Sequence, residues 1–398
     1  MPLPSHIAMI GTPAVSHVLP SLEIIRELVA RGHRVTYANA DHVAELIAPT
    51  GAELVRLTST LPVADDDWPR DPIATASLFL DEAMAVLPQL HAAYDDAPAD
   101  LYLYDIGAYA GRALAEAQGR NLVQVSPAHV AWEGAQEEMG AAFARLPGGP
   151  AHRVRFATWL AQCGAVTTDV EEFIARPRQV LALIPRAMQP HADRVHAEAV
   201  TFVGPCRGAA EEKGGWVRPA GAEKVLLVSL GGSARLGQRE TYQQCVAAFA
   251  DLPGWHVVLQ IDNDSDRGRL GERIPPNFEV LPWVPPSTIL ERVDTWVTHS
   301  GMGSCGEGLY AGVPMIAVPQ GAEQCLYADR LVELGVARRI DSAEVTAAAL
   351  RTALVELIGD PQVAARSAWL WAEVLAEGGT RRAVELIEEQ LVEERVGC

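Results

Sequence analysis

Short apolar segments alternate with segments of helical periodicity through most of this 398-residue chain, and this alternation constrains the fold more than any other feature. The first half contains five short apolar runs, at 6–10, 34–37, 53–57, 100–105 and 122–126. Between them lie helical segments, one from His17 to a glycine C-cap at Gly32 and another at 109–118. Such an alternation predicts a parallel sheet that is covered by helices.

A second series of apolar runs follows a stretch at 208–221 that is rich in Gly, Glu, Lys and Pro and is predicted to be a linker. These runs lie at 225–230, 256–260, 279–281, 295–298 and 315–318. The chain is therefore predicted to be an α/β protein with two Rossmann-like, doubly wound domains, 1–207 and 222–375. Because ligands bind at the carboxyl ends of parallel strands, we expect the two domains to face a ligand-binding cleft. The amphipathic segment 381–394 predicts a terminal helix.

The composition excludes several classes of partner. The formal net charge is −19 and no cluster of Lys and Arg is present, so neither nucleic acid nor an anionic membrane surface is expected as a partner. No apolar stretch stands out as long enough to span a bilayer. The six cysteines form no CxxC pair and match no zinc template, and the N-terminus lacks a signal-peptide pattern. We therefore expect reduced thiols in a cytoplasmic protein.

The segment 298–308, T-H-S-G-M-G-S-C-G-E-G, carries the most information about ligands. A predicted strand ends at His299, and a glycine-rich turn then opens a helix that is predicted at 305–311. The N–H groups and dipole of a helix start suit a pyrophosphate. The glycines also satisfy G-x-G-x-x-G, which is typical of dinucleotide oxidoreductases but also occurs in purely structural turns. The segment by itself leaves these alternatives open.

The flanks of this segment extend the pattern. Trp283 and Pro285 lie upstream, and Gly312-Val313-Pro314 and Glu323-Gln324 lie downstream. The order W-x-P, T-H-x-G-x-x-S-x-x-E, G-V-P, acidic-Gln resembles the donor-binding signature of the family 1 nucleotide-diphosphate-sugar glycosyltransferases, which have the GT-B fold. The resemblance extends over nearly the whole chain. It implies that 1–207 binds the acceptor, that 222–375 binds the nucleotide-sugar donor, and that the terminal helix at 381–394 packs back on the first domain. It is greatest to the macrolide-inactivating enzymes of actinomycetes, through PSLEIIRELVARGHRVTY near the start, IPRAMQPHADRV at 184–195 and RPAGAEKVLLVSLG at 218–231.

The resemblance implies roles for particular residues. Ten residues are implied to bind the nucleotide-sugar donor: Trp283, His299, Gly301, Gly303, Ser304, Cys305, Glu307, Glu323, Gln324 and Ser233. Trp283 would stack on the base, and Glu307 would bind ribose hydroxyls. His299, Ser304 and the backbone of 301–305 would hold the phosphates, with Ser233 reaching them from the opposite loop. The acidic-Gln pair would bind sugar hydroxyls.

The chain departs from the family pattern in its donor signature. Pro286 stands where many relatives have Gln, Met302 and Gly303 replace larger or amide residues, and Glu323 replaces a common Asp. These departures leave the base and the sugar open, although the resemblance favours UDP-glucose as donor and a macrolide or other polyketide as acceptor. No cofactor and no metal are implied. The expected partners are the donor and a small-molecule acceptor, and a homodimer remains open.

Two residues of the first half are candidates for catalysis. His17 follows the first apolar run, and Asp105 ends the fourth. The resemblance implies that His17 is the general base of an inverting O-glycosyltransferase and that Asp105 fixes its tautomer and stabilises its imidazolium form. As alternatives, each residue could simply lie at a helix N-terminus. Four aromatic residues of the long connections could line an apolar acceptor pocket or belong to the core: Phe79, Trp132, Phe143 and Trp159.

Two acidic clusters imitate metal sites. The aspartates at 65–67 have D-x-D spacing but lie in a proline-flanked loop, where solvated carboxylates are expected. Those at 262–266 begin like a calcium loop, but Arg267 and Arg273 occupy the positions that need Gly and Glu. Neither cluster predicts a metal site.

Two other functions fit parts of the sequence. An NAD-dependent oxidoreductase would use G-x-G-x-x-G but would leave His17 and Asp105 without a role. A catalytically silent paralogue that only binds a sugar nucleotide or an antibiotic would fit the changes at Pro286 and Gly303. The presence of both His17 and Asp105 favours an active transferase.

Overall fold

The computed structural model describes residues 4–64, 67–208, 216–231, 238–261, 274–282 and 286–396. The chain forms two compact units: unit 1 comprises Met1–Cys206 and Glu377–Cys398, and unit 2 comprises Arg207–Ala376. Two of the predicted donor residues lie outside the described residues, namely Ser233 and Trp283. Half of the predicted linker, 209–215, and most of the two acidic clusters lie outside them as well.

Unit 1 is built on a parallel sheet of seven described strands: β1 His6–Ile10, β2 Arg34–Ala40, β3 Glu53–Leu57, β4 Leu101–Asp105, β5 Asn121–Ser126, β6 Val180–Ala182 and β7 Val200–Phe202. Their order is β3-β2-β1-β4-β5-β6-β7. The strand β1 lies between β2 and β4, so that Ile10 pairs with Ala38 on one side and with Tyr104 on the other. The direction of winding therefore reverses at β1.

The described helices of unit 1 that precede unit 2 are α1 Val15–Val18, α2 Leu22–Ala30, α3 Ala44–Ile47, α4 Pro72–Tyr94, α5 Tyr109–Ala117, α6 Ala141–Arg145, α7 Gly149–Gln162 and α8 Val170–Ala175. The prediction of one helix from His17 is wrong in its start and its continuity. The chain is helical from Val15, and a 3-10 turn at Leu19–Ser21 separates α1 from α2. Pro20 lies in that turn and cannot donate a backbone hydrogen bond, which explains the interruption.

Helix α4 corrects the expectation that no apolar stretch is long enough to span a bilayer. This helix has 23 residues, and the mean hydropathy of its most apolar window is 1.2. Among the described residues, it is the helix that is long and apolar enough to cross a bilayer by length and composition alone. One face of the helix is packed into the core of unit 1 through Leu80, Leu87 and Leu90. A third of the residues in that window are buried in this way, so packing against its own unit accounts for part of the apolar character.

Unit 2 has a second parallel sheet with six described strands: β8 Lys224–Ser229, β9 Trp255–Gln260, β10 Phe278–Leu281, β11 Thr295–Thr298, β12 Met315–Ala317 and β13 Ala337–Arg339. Their order is β10-β9-β8-β11-β12-β13, and the winding reverses between β8 and β11. Its described helices are α9 Gln238–Phe249, α10 Pro286–Ile289, α11 Met302–Ala311, α12 Ala322–Glu333, α13 Ala347–Gly359 and α14 Pro361–Ala376. The predicted fold class, two doubly wound α/β units, is confirmed.

The terminal helix α15, Gly379–Val396, returns to unit 1. Its buried stripe joins the core cluster that contains Ile24 and Leu28 of α2, and Ile387 is 0% exposed. Glu388 of α15 accepts a hydrogen bond from Arg31 at 2.8 Å. The helix is therefore an integral part of the unit 1 core.

Substitution of the buried Ile387 should show how much α15 contributes to stability. We expect Ile387→Ala to lower the free energy of unfolding by about 2–5 kcal/mol, because the change leaves a cavity in a closed core. Ile174→Ala is the matched control, since Ile174 is 40% exposed on α8 of the same unit, and it should cost less than about 1 kcal/mol. If urea unfolding shows the same loss of unfolding free energy for Ile387→Ala and Ile174→Ala, α15 is not part of the core.

Candidate active site

The first half-site, which consists of Thr12, His17, Asp105 and Gly107, lies where the winding of unit 1 reverses. His17 follows β1, and Asp105 is the last residue of the neighbouring strand β4. Nδ1 of His17 lies 3.0 Å from both Oδ1 and Oδ2 of Asp105. The side chain of Asp105 is 1% exposed, whereas that of His17 is 24% exposed. The structure therefore brings together a buried carboxylate and an imidazole that solvent can reach.

Two further donors hold the carboxylate of Asp105. The hydroxyl of Thr12 donates to Oδ1 at 2.6 Å, and the backbone N–H of Gly107 donates to the same oxygen at 2.8 Å. A carboxylate only accepts hydrogen bonds, so Nδ1 of His17 donates to it. The neutral ring then carries its lone pair on Nε2, where a base needs it.

Thr12 and Gly107 were not singled out from the sequence. A Cβ on residue 107 would lie 2.8 Å from Oγ1 of Thr12 and 3.3 Å from Oδ1 of Asp105. The close approach of these groups therefore requires glycine there. The only sequence signal for both residues is that each lies within two positions of the end of a predicted strand.

The structure shows that neither His17 nor Asp105 caps a helix. Helix α1 begins after Ala14, and His17 is its third residue, so the imidazole does not cap the helix. Helix α5 begins after Ala108, which has no side-chain cap, and the Asp105 carboxylate bonds to the Gly107 N–H instead. Neither side chain satisfies a helix terminus.

The second half-site, which consists of Gly231, His299 and the first turn of α11, lies where the winding of unit 2 reverses. Ser229 of β8 pairs with Thr298 of β11, so the residues that follow these strands are neighbours. A Cβ on Gly231 would lie 2.9 Å from Cε1 of His299, and one on Gly301 would lie 2.6 Å from Nε2. The imidazole of His299 is thus held against two glycine backbones.

The first turn of α11 can meet an anion. Gly301 is the N-cap, so the N–H groups of Met302, Gly303 and Ser304 have no partner within the helix. A Cβ on Gly303 would meet no protein atom within 4 Å, so the space in front of it is open. These three N–H groups and the positive end of the helix dipole can hold phosphate oxygens.

The inclusion of Cys305 among the donor residues is wrong. The helix was expected to begin at Cys305, but it begins three residues earlier. The N–H of Cys305 therefore already donates to the carbonyl of Gly301 at 2.9 Å, and its side chain is completely buried. The backbone N–H groups that can hold phosphate oxygens are therefore those of 302–304.

Three carboxylate or amide side chains of the predicted donor site lie on the helices that follow β11 and β12. Burial raises the pKa of Glu307 on α11 to about 7, and the positive charge of Arg207 opposes this shift. Glu323 lies in the first turn of α12 and accepts a hydrogen bond from the hydroxyl of Tyr327. Oε1 of Gln324 accepts from the backbone N–H of Gln320 at 2.8 Å.

The raised pKa of Glu307 predicts a pH dependence of stability. Below its unfolded value of about 4.5, Glu307 is protonated in both states, and its contribution to stability is lost as the pH rises through about 7. Glu307→Gln cannot ionise, so we expect its Tm relative to that of the wild type to be higher at pH 8 than at pH 5. Glu344→Gln, at an exposed position, is the control. The difference between its Tm and that of the wild type should be the same at pH 8 and pH 5. A pH-independent difference for Glu307→Gln would contradict the shift.

The four aromatic residues proposed for an acceptor pocket lie in different surroundings. Trp159 is 5% exposed and packs in the core of unit 1, so the core alternative is correct for this residue. Phe79 lies beside the first half-site, because a Cβ on Gly107 would be 3.0 Å from its ring. The half-buried rings of Trp132 and Phe143 contact histidines elsewhere in unit 1.

Comparison with known proteins decides the family. Over 395 residues the chain is 49% identical to the oleandomycin glycosyltransferase of Streptomyces antibioticus. The alignment covers 98% of this chain and 91% of that protein. The chain belongs to the family 1 glycosyltransferases. The enzyme is also 32% identical to the NDP-glycosyltransferase YjiC of Bacillus licheniformis over 396 residues, which covers 96% of the enzyme and 97% of its relative.

Two further matches agree with this assignment. The enzyme resembles the solved structure of the glycotransferase of kitacinnamycin with a TM-score of 0.89 and 49% identity, and the match covers 98% of the enzyme and 100% of that chain. The family model described as erythromycin biosynthesis protein CIII-like, C-terminal domain, matches residues 244–389. The predicted GT-B fold and glycosyltransferase class are confirmed, and the oxidoreductase alternative is wrong.

Proposed function

We propose that the enzyme is an inverting O-glycosyltransferase that moves a sugar from a nucleotide-diphosphate sugar to a hydroxyl of a macrolide or other polyketide. The observation that carries the chemistry is the contact of His17 with both oxygens of the buried Asp105, at 3.0 Å. This pair supplies a neutral imidazole whose Nε2 lone pair can accept the proton of an alcohol.

In the proposed mechanism, Nε2 of His17 takes the proton of the acceptor hydroxyl as its oxygen attacks the anomeric carbon of the sugar. The bond from that carbon to the phosphate oxygen breaks, and its electron pair leaves with the nucleotide diphosphate. Because attack and departure occur on opposite faces, an α-linked donor gives a β-glycoside. Asp105 stabilises the imidazolium that forms, and its bonds from Thr12 and Gly107 keep it in place.

We assign acceptor binding to unit 1 and donor binding to unit 2. The N–H groups of 302–304, His299 and Ser304 are proposed to hold the diphosphate, and Glu307 is proposed to bind ribose. Glu323 and Gln324, which follow β12, are proposed to bind the sugar. The proposal keeps Trp283 for the base and Ser233 for the phosphates, although both lie outside the described residues.

The choice of substrates rests on similarity. The relative with 49% identity is named for oleandomycin, a macrolide, and Phe79 places an apolar ring beside the first half-site. We propose UDP-glucose as donor because the overall donor pattern is retained despite Pro286 and Gly303. We also propose a cytoplasmic location, because the five cysteines in the described part of the chain are free thiols, which persist in reducing compartments.

The substrates can be tested with a panel of donors and acceptors. UDP-glucose, TDP-glucose and GDP-glucose are each incubated with a macrolide, a flavonoid or no acceptor, and products are identified by mass spectrometry and by the NMR coupling of the anomeric proton. We expect a β-glucoside of the macrolide from UDP-glucose. An α-glycoside would exclude inversion, and failure to transfer from every donor would favour the catalytically silent paralogue.

The proposed mechanism requires no metal ion, because the helix dipole and His299 stabilise the departing diphosphate. We therefore expect the initial rate to remain within about twofold of its starting value after treatment with EDTA and removal of the chelator. Addition of Mg²⁺ or Mn²⁺ should change it no further. A loss of activity that either ion restores would show that a metal takes part.

A further inference from the structure

Arg207 stands close to the proposed ribose site although no sequence motif includes it. It is the first residue of unit 2. Its guanidinium carbon lies 4.8 Å from the centroid of the Tyr310 ring. Tyr310 follows Glu307 by three positions on α11, so the two side chains project from the same face of the helix. The guanidinium thus packs on a side chain one helical turn from Glu307, close enough for its charge to act on the Glu307 carboxyl.

The charge of Arg207 acts on a carboxyl group that burial would otherwise neutralise. Glu307 is half-buried, and the desolvation that comes with this burial disfavours its charged form. Among the described residues, Arg207 is the charged group whose field acts in the opposite direction. The Tyr310 ring fixes the guanidinium by a cation–π contact, and a planar cation is well suited to such stacking.

We infer that Arg207 is a positioning residue for the donor, which keeps a positive charge beside Glu307 so that this side chain meets the ribose as a carboxylate. The inference rests on the proposed ribose-binding role of Glu307. A carboxylate accepts hydrogen bonds from both hydroxyls of a ribose, whereas a deoxyribose offers one hydroxyl to the same group. Arg207 therefore favours ribonucleotide over deoxyribonucleotide donors at neutral pH.

Binding of UDP-glucose and TDP-glucose, measured by calorimetry between pH 5.5 and 9, tests this role, since neither diphosphate diester titrates in that range. In the wild type we expect affinity for UDP-glucose to rise with pH to a plateau, with a midpoint near the Glu307 pKa of about 7. Arg207→Met should move the midpoint up by about one pH unit. At pH 7 it should weaken UDP-glucose binding about five- to tenfold. TDP-glucose binding should change less.

Two comparisons separate this role from a merely structural one. Arg207→Lys keeps the charge and should restore the wild-type midpoint even if it binds less tightly. Arg186→Met removes a similar arginine, whose guanidinium carbon lies 5.8 Å from the Phe202 ring centroid in unit 1, and should leave the profile unchanged. If Arg207→Met keeps the wild-type midpoint, or weakens binding equally at every pH, the inference is overturned.

The result for Glu307→Gln shows which proposal fails. If this variant binds UDP-glucose with the wild-type affinity and pH profile, the ribose role of Glu307 is wrong and the inference falls with it. If Glu307→Gln loses the pH dependence but Arg207→Met does not shift it, only the role of Arg207 is wrong. Absence of binding by both donors in the wild type would overturn the proposed donor class and this inference together.

Discussion

His17→Ala is expected to lower kcat by about 10²–10⁴-fold, the usual contribution of a general base, while donor affinity stays within about twofold. The imidazole is the group that receives the acceptor proton, and alanine leaves only water for that task. The residues proposed to bind the donor belong to unit 2, whereas His17 belongs to unit 1. Initial rates with a saturating acceptor and donor titrations by calorimetry separate the two effects.

The fold should tolerate the His17→Ala substitution. Asp105 keeps its bonds from Thr12 and Gly107 in the variant, so no buried carboxylate is left without donors. A matched control is His91→Ala on α4. Nδ1 of His91 also lies 3.0 Å from both oxygens of an aspartate, Asp95, but that carboxylate is 55% exposed. The control should keep full activity, and a His17→Ala enzyme with wild-type turnover would remove this residue from the mechanism.

Asp105→Asn should be nearly as damaging, by about 10²–10⁴-fold in kcat, because it selects the wrong tautomer of His17. The amide oxygen of asparagine can replace Oδ1 and keep the bonds from Thr12 and Gly107. Its NH₂ group then replaces Oδ2 and donates to Nδ1 of His17. The ring proton is forced onto Nε2, where it blocks the position that should accept the proton of the acceptor.

The tautomer argument makes Asp105→Asn distinguishable from general damage to the half-site. We expect an unchanged Tm within about 2 °C, unchanged donor affinity and a ¹⁵N NMR spectrum in which the neutral His17 ring carries its proton on Nε2. Asp95→Asn on the surface should keep normal activity. If Asp105→Asn retains more than a tenth of wild-type turnover, orientation by Asp105 is not essential and the pair is structural.

Much of the fold could be predicted because the pattern that specifies a buried parallel strand is local. Strands β1, β3 and β11 have the predicted bounds, since each is a short apolar run that turn residues enclose. Strands β6, β7 and β13 have three residues each and were missed, whereas the equally short β12 was predicted within an apolar run that continues to Val318. The start of α11 was misplaced because glycine-rich sequence is a poor guide to where helical hydrogen bonding begins.

The candidate site was predicted less completely than the fold. His17 and Asp105 could be chosen because each lies near the end of an apolar run and carries suitable chemistry. Thr12 and Gly107 could not, because hydroxyls and glycines after strands are too common to single out. The sequence did not distinguish a pocket from the core for Trp159, because an aromatic residue in an irregular segment fits either. Its packing with Phe156 and Phe173 shows that it belongs to the core.

The sequence by itself therefore determined the class of the fold, the order of its strands along the chain and the segment that opens α11, because these depend on residues close together in the chain. The tertiary structure alone decided which strands became neighbours. His17 and Asp105, 88 positions apart, meet because β4 pairs with β1, and Arg207 reaches Tyr310 because the chain that enters unit 2 packs against α11. Such contacts are set by how sheets and helices pack as a whole, and no local pattern specifies that packing.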